Sequence, residues 1–180
     1  MQEKLLQFAD LSKRHLGVSD GISASYAEAV RVCLDRHHAP PVQFKMRDNA
    51  TKDAAIAKWD KPDQRLCNAW ANKDDATEAG AYGLALAAVE LMRGLVAVRR
   101  AETKTGADYY LGPIGSSLED LETSYRLEVS GTDEGGDPTI EARLKQKINQ
   151  ALNGNSNLPA IASVVAFAAS TIVCADVTQS

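Results

Sequence analysis

The residues of this sequence best suited to chemistry are two carboxylates, Asp108 and Glu128, each inside a short segment with strand character. Side chains in a strand alternate between faces. Arg126, Glu128 and Ser130 therefore share one face of the segment Tyr125 to Ser130, and Tyr125, Leu127 and Val129 share the other. In the segment Ala107 to Leu111, Asp108 and Tyr110 share a face. If the two segments are neighbouring strands, a single register brings the carboxylates together. Two converging carboxylates repel unless a proton or a cation lies between them, so the pair is a candidate Mg²⁺ site. A metal there would polarise a phosphoryl oxygen and acidify a bound water, as phosphodiester hydrolysis requires. The competing reading is that both are solvated strand residues, one of them paired with Arg126 or Arg99.

The elements that must position this pair follow from pattern and punctuation. Asp75 and Glu78 have the spacing of a helix-capping box, and Ala79 to Leu91 continues as a small-residue, apolar helix. Its Gly80 and Gly83 suit close packing against a sheet. Gly94 ends it, and strands follow at Leu95 to Ala101, Ala107 to Leu111 and Tyr125 to Ser130, with a polar loop from Gly115 to Thr123. A helix begins near Pro138 with Ile140, Leu144, Ile148 and Leu152 as its apolar seam. Pro159 to Ala169 reads as a strand buried on both faces, and Ser170 to Val177 as one more. Upstream, helices are expected over Lys4 to Leu16 and from Ser23 or Ser25 to the prolines Pro40 and Pro41. Val42, Phe44 and Met46 mark a half-buried strand, and short helical turns are expected around Ala54 and Leu66. The chain thus divides into a mostly helical or mixed extension over 1–73, packed on an α/β core over 74–180.

Composition narrows the class of function. A chain of 180 residues with 44 % hydrophobic and 24 % charged residues folds around a core, and its net charge of -4 supplies no global basic field for nucleic acid. Cys33, Cys67 and Cys174 form no metal-ligand or disulfide pattern and read as small buried residues. No signal peptide or membrane span is legible, so a cytoplasmic location is expected. His37 and His38 read as residues at a helix C-terminus, and the glycine-containing stretch Gly131 to Gly136 carries Asp133 and Glu134, which repel phosphate.

The order helix, three strands, helix, strand, with Asp108 early in the second strand and Glu128 in the third, resembles the core of the PD-(D/E)XK, or restriction-endonuclease-like, superfamily. The resemblance covers roughly residues 75–177. It implies that Asp108 and Glu128 hold Mg²⁺, that Glu78 or Glu90 completes the metal site, and that the substrate is nucleic acid. The family's lysine position is Ser130 here, and a hydroxyl supplies no positive charge. Lys145 or Lys147, on the following helix, is the expected replacement, while Ser130, Gln146 and Gln150 are expected to contact substrate. The stretches Asp74 to Tyr82, Thr105 to Gly112 and Arg126 to Gly131 also resemble an uncharacterised family of small bacterial proteins, mostly actinobacterial. Two functions follow as expectations. One is a Mg²⁺-dependent nuclease or a nuclease-like component of a genome-defence system. The other is a non-catalytic protein of nuclease ancestry that binds and regulates a partner, such as the product of a neighbouring gene.

Overall fold

The computed structural model describes residues 3–117 and 124–178. Among these, the elements run α1 (Asp20–Asp35), β1 (Val42–Asp48), β2 (Thr51–Ala57), α2 (Gln64–Ala69), α3 (Lys73–Arg93), β3 (Leu95–Arg100), β4 (Tyr109–Pro113), β5 (Tyr125–Thr132), α4 (Asp137–Leu152), β6 (Ala160–Ala166) and β7 (Thr171–Val177). The seven strands form one mixed sheet in the order β2-β1-β7-β6-β5-β4-β3. The pairs β5–β6 and β1–β7 are parallel and the others antiparallel. The α/β class and the order of elements from α3 to β7 are as the sequence pattern predicts. The expected loop from Gly115 to Thr123 lies, from residue 118 onward, outside the described residues.

The layers follow from which faces are apolar. α4 lays Ile140 and Leu144 on Ala162, Val164, Ala166 and Val173. The opposite face carries the larger core, in which Leu127, Val129, Ile161 and Val165 join Leu84, Leu86 and Ala88 of α3. α3 is in turn covered by α1, so Ala76, Thr77 and every residue from Gly80 to Val89 are buried. A helix covered on both sides must be apolar nearly all round, which explains its weak amphipathic pattern. The close approach at Gly80 and Gly83 is made largely to α1: a Cβ on Gly83 would lie 2.9 Å from Val30 Cγ2 and 3.3 Å from Tyr26 Cβ.

Several local expectations are corrected. Asn72, not Asp75, caps α3, its side-chain oxygen accepting from the N–H groups of Asp74 and Asp75 at 3.1 and 3.2 Å. The capping oxygen lies one turn earlier, and the two aspartates instead favour the positive end of the helix dipole. Ser19 caps α1, earlier than either serine expected. The stretch around Ala54 is a strand, because the Asn49–Ala50 turn, with Asn49 at φ 52°, folds it back on β1. β5 does not stop at Gly131 but continues to Thr132. Lys4 to Leu16 forms no helix beyond a single 3-10 turn at Leu11–Lys13.

That last difference has a physical cause. Both edges of the sheet present free backbone groups, and the N-terminal segment pairs with them in place of forming helical bonds. The Leu6 N–H donates to Ile56 O at 2.9 Å and the Ile56 N–H to Lys4 O at 2.8 Å, covering β2. Farther along, the Gly17 N–H donates to Ala97 O at 2.9 Å and the Ala97 N–H donates to His15 Nδ1 at 2.9 Å, covering β3. Residues 3–73 thus share both the sheet and the core with the remainder of the chain. Among the described residues, no helix is long and apolar enough to cross a membrane.

The fully buried His15 accepts at Nδ1, so its proton sits on Nε2, 2.9 Å from Glu90 Oε2. Burial lowers its pKa from the usual 6.5, with Glu90 opposing the shift. A histidine with a depressed folded-state pKa contributes stability that is full above about pH 6.5 and lost as pH falls through the lower folded value. Chemical denaturation between pH 8 and 5 is expected to show a steeper acid loss of stability in the wild type than in His15→Gln. Equal slopes would exclude His15 as the source.

Candidate functional site

The site is built where β4 falls short. β4 pairs with β5 from Tyr109 opposite Leu127 to Leu111 opposite Tyr125, so β5 has no β4 neighbour beyond Leu127. Asp108 lies one residue before β4, and the same register, continued by one step, sets it opposite Glu128. Its carboxylate takes over the missing strand's role: the Val129 N–H donates to Asp108 Oδ2 at 2.8 Å. The Tyr82 hydroxyl of α3 donates to Asp108 Oδ1 at 2.9 Å, which fixes the second oxygen. Burial, followed by the Asp108 charge, pushes the Tyr82 phenol above its usual pKa and keeps it a donor.

On the face of β5 toward α4, three polar residues engage the helix in sequence. The Arg126 Nη1 donates to Ala151 O at 2.8 Å, Lys147 Nζ to Glu128 Oε1 at 2.7 Å, and Arg143 Nη1 to Ser130 Oγ at 3.2 Å. Two strand residues advance about 6.6 Å and four helix residues about 6 Å. The two periods therefore stay in step while the elements run antiparallel. Arg126, Glu128 and Ser130 share the face that alternation predicts. Arg126 is not the partner of Glu128: it donates to Leu158 O and Thr105 O as well, at 3.0 and 2.8 Å. Glu128 is buried, and desolvation with the nearby Asp108 charge raises its pKa, against the pull of Lys147.

Of the remaining candidates, Lys147 reaches Glu128 while Lys145 is exposed, because only the former lies on the stripe facing β5. Gln150 lines a cavity of about 730 Å³ with Asp108, Glu128 and Lys147. Gln146, Ser130 and Glu78 line an adjacent cavity of about 550 Å³, and Lys147 borders both. Glu78 is not gathered with the pair: among the described residues no three His, Cys, Asp or Glu side chains converge as metal ligands. Glu90 lies elsewhere, held by Arg14 and His15. His37 and Arg36 close on Asp133 at the other end of β5, and His38 faces Phe167 O at 2.7 Å.

Two residues of the site are absent from the sequence-based set, Tyr82 and Arg100. Arg100 ends β3 opposite Tyr109, and its guanidinium carbon lies 4.7 Å from the Tyr82 ring centroid and 4.8 Å from that of Tyr109. The hairpin register between Leu95–Arg100 and the next strand was the signal that could have found Arg100. Nothing local to Tyr82 marks it, because its role depends on where α3 crosses the sheet. Comparison of the chain with protein-family models, with curated proteins and with solved structures finds no match.

The donor set suits Mg²⁺ in one respect. Mg²⁺ is commonly held by one or two carboxylates, with waters and substrate oxygens supplying the remaining positions. Asp108 and Glu128 are two such carboxylates, and burial, followed by the Asp108 charge, raises the pKa of Glu128.

The loops flanking the cluster are locked together by Arg126 and by Gly154, where a Cβ would lie 2.2 Å from Thr105 O. Replacing Arg126 with Met removes the side-chain donor shared by the Ala151, Leu158 and Thr105 carbonyls. We expect a loss of about 3 kcal/mol of stability, measurable by denaturant titration. A loss below about 1 kcal/mol would mean that water replaces the guanidinium.

Proposed function

We propose that Asp108, Glu128 and Lys147 form a Mg²⁺-dependent site for phosphodiester hydrolysis of nucleic acid, on a core of restriction-endonuclease-like topology. The observation that carries this reading is Lys147 Nζ at 2.7 Å from Glu128 Oε1. It supplies, from α4, the ammonium that Ser130 cannot supply from β5. The connectivity α3–β3–β4–β5–α4–β6, with β3–β4–β5 antiparallel and β5–β6 parallel, supports it.

In this reading Asp108 and Glu128 hold the ion, with Tyr82 and the Val129 N–H fixing the rotamer of Asp108. The bound Mg²⁺ would polarise the phosphoryl oxygen and lower the pKa of a water. Lys147 orients the attacking water by donating to it and offsets the negative charge that gathers on the phosphoryl oxygens. Ser130 Oγ accepts from Arg143 Nη1 at 3.2 Å, which leaves its O–H free to donate.

A second reading draws on the same pair. The Glu128–Lys147 contact is also the middle rung between β5 and α4, as a scaffold that binds and regulates a partner protein would retain. Metal binding separates the two. Single- and double-stranded DNA and RNA are incubated with wild type and with Asp108→Asn, Glu128→Gln and Lys147→Met in Mg²⁺ or Mn²⁺. The expected result is cleavage by the wild type and a loss of about 100-fold or more in each folded variant. Absence of both cleavage and metal binding by the wild type at high protein concentration sinks the hydrolytic reading and leaves the scaffold.

A further inference from the structure

Arg100 is placed differently from Arg93, Arg14 and Arg126. Arg93 binds Asp48 and Asp176, Arg14 binds Glu90, and Arg126 is consumed by backbone carbonyls. Arg100 is instead stacked against Tyr82 and Tyr109, with its side chain 50 % exposed. Its Nη2 donates to the Tyr82 hydroxyl at 3.2 Å and stands 3.8 Å from Asp108 Oδ1, too far for a hydrogen bond. The two rings flank the group, and its ion pair with Asp108, at 3.8 Å, is longer than the 2.7 Å pairs Arg14–Glu90 and Arg93–Asp176. It borders the same cavity as Asp108, Glu128 and Lys147.

The charges of the two cavities differ. Around the first, Arg100, Lys104 and Lys147 balance Glu102, Asp108 and Glu128. Around the second, Asp74, Glu78, Asp133 and Glu134 outnumber Lys73, Arg143 and Lys147. A polyanion approaching the cluster meets lower repulsion on the Arg100 side, and a divalent ion on Asp108 and Glu128 would make that side net positive. A guanidinium presents paired N–H groups that match two oxygens of one phosphate, which an ammonium does not.

We propose that Arg100 is a substrate-binding residue. It contacts a backbone phosphate of a nucleic-acid strand lying in the Arg100–Lys104–Gln150 cavity, away from the acidic cavity at Glu78 and Glu134. This rests on the hydrolytic reading above.

The test compares wild type, Arg100→Gln, Arg100→Lys and, on the acidic side, Glu134→Gln. Binding of a fluorescent single-stranded oligodeoxynucleotide is followed by anisotropy with Ca²⁺ in place of Mg²⁺, across a salt series, and kcat and KM are measured with Mg²⁺. Arg100→Gln should weaken binding about tenfold and raise KM more than it lowers kcat. Its slope of log affinity against log salt should fall by about 0.7, one single-strand phosphate contact. Arg100→Lys should keep the slope but lose several-fold in affinity, because the charge remains and the paired donors do not. Glu134→Gln should stay within about twofold of wild type. Wild-type affinity and slope in Arg100→Gln overturn the inference while leaving the hydrolytic reading intact, provided the wild type cleaves. A wild type that neither binds nor cleaves defeats both. Should Arg100→Gln fail to fold, wild-type affinity in Arg100→Lys overturns the paired phosphate contact.

Discussion

The guanidinium of Arg126 holds the site's three flanking segments in one place. Buried within β5, it donates to Thr105 O in the β3–β4 turn, Ala151 O at the end of α4, and Leu158 O before β6. Ala151 O also accepts from the Gly154 N–H at 3.3 Å, so the guanidinium adds to that bond and supplies the side-chain donor to Thr105 O and Leu158 O, and burial lowers the pKa of the arginine itself. The cost of enclosing the charge is offset because each donor has a fixed acceptor and the helix C-terminus carries partial negative charge. The β3–β4 turn leads to Asp108, and the last turns of α4 carry Lys147. One buried side chain therefore sets the positions from which both reach the cluster.

The match of strand and helix periods does the rest. Because four helix residues span nearly the distance of two strand residues, α4 can pair with β5 at 126, 128 and 130 without drifting out of register. This explains why Lys147 and not Lys145 meets Glu128, and why a serine at position 130 is satisfied by Arg143. On its other side α4 is apolar toward β6 and β7, so its placement over the sheet is fixed by packing as well as by the polar rungs.

The first 73 residues enter this arrangement through burial and edge protection. α1 covers α3, which allows α3 to be apolar on both sides and to carry Tyr82 against the end of β4. The N-terminal segment then pairs with β2 and with β3, the two edge strands. A helix over those residues would have satisfied their own backbone but left both edges bare, exposing surfaces prone to pairing with other chains.

Much of the site's framework was legible in the sequence. Alternation alone assigned Arg126, Glu128 and Ser130 to one face of β5, because a strand's side chains have a period of two that no tertiary contact can change. Glycine and proline punctuation located α3 to β7 within a few residues. Where local signals competed, the reading failed: Lys4 to Leu16 has spacing compatible with a helix, and the residues around Ala54 carry weak propensity either way. The contacts that define the cluster lay beyond the sequence pattern because they join segments distant along the chain. Tyr82 reaches Asp108 from 26 residues away and Lys147 reaches Glu128 from 19. The sequence by itself determined that Glu128 belongs to a strand and that one register of the neighbouring segment aligns Asp108, which stands one residue before β4, with it. Only the tertiary structure decided which ammonium stands beside them, which hydroxyl fixes Asp108, and that Glu78 remains apart, because those depend on how helices cross a sheet and not on the order of residues within any one element.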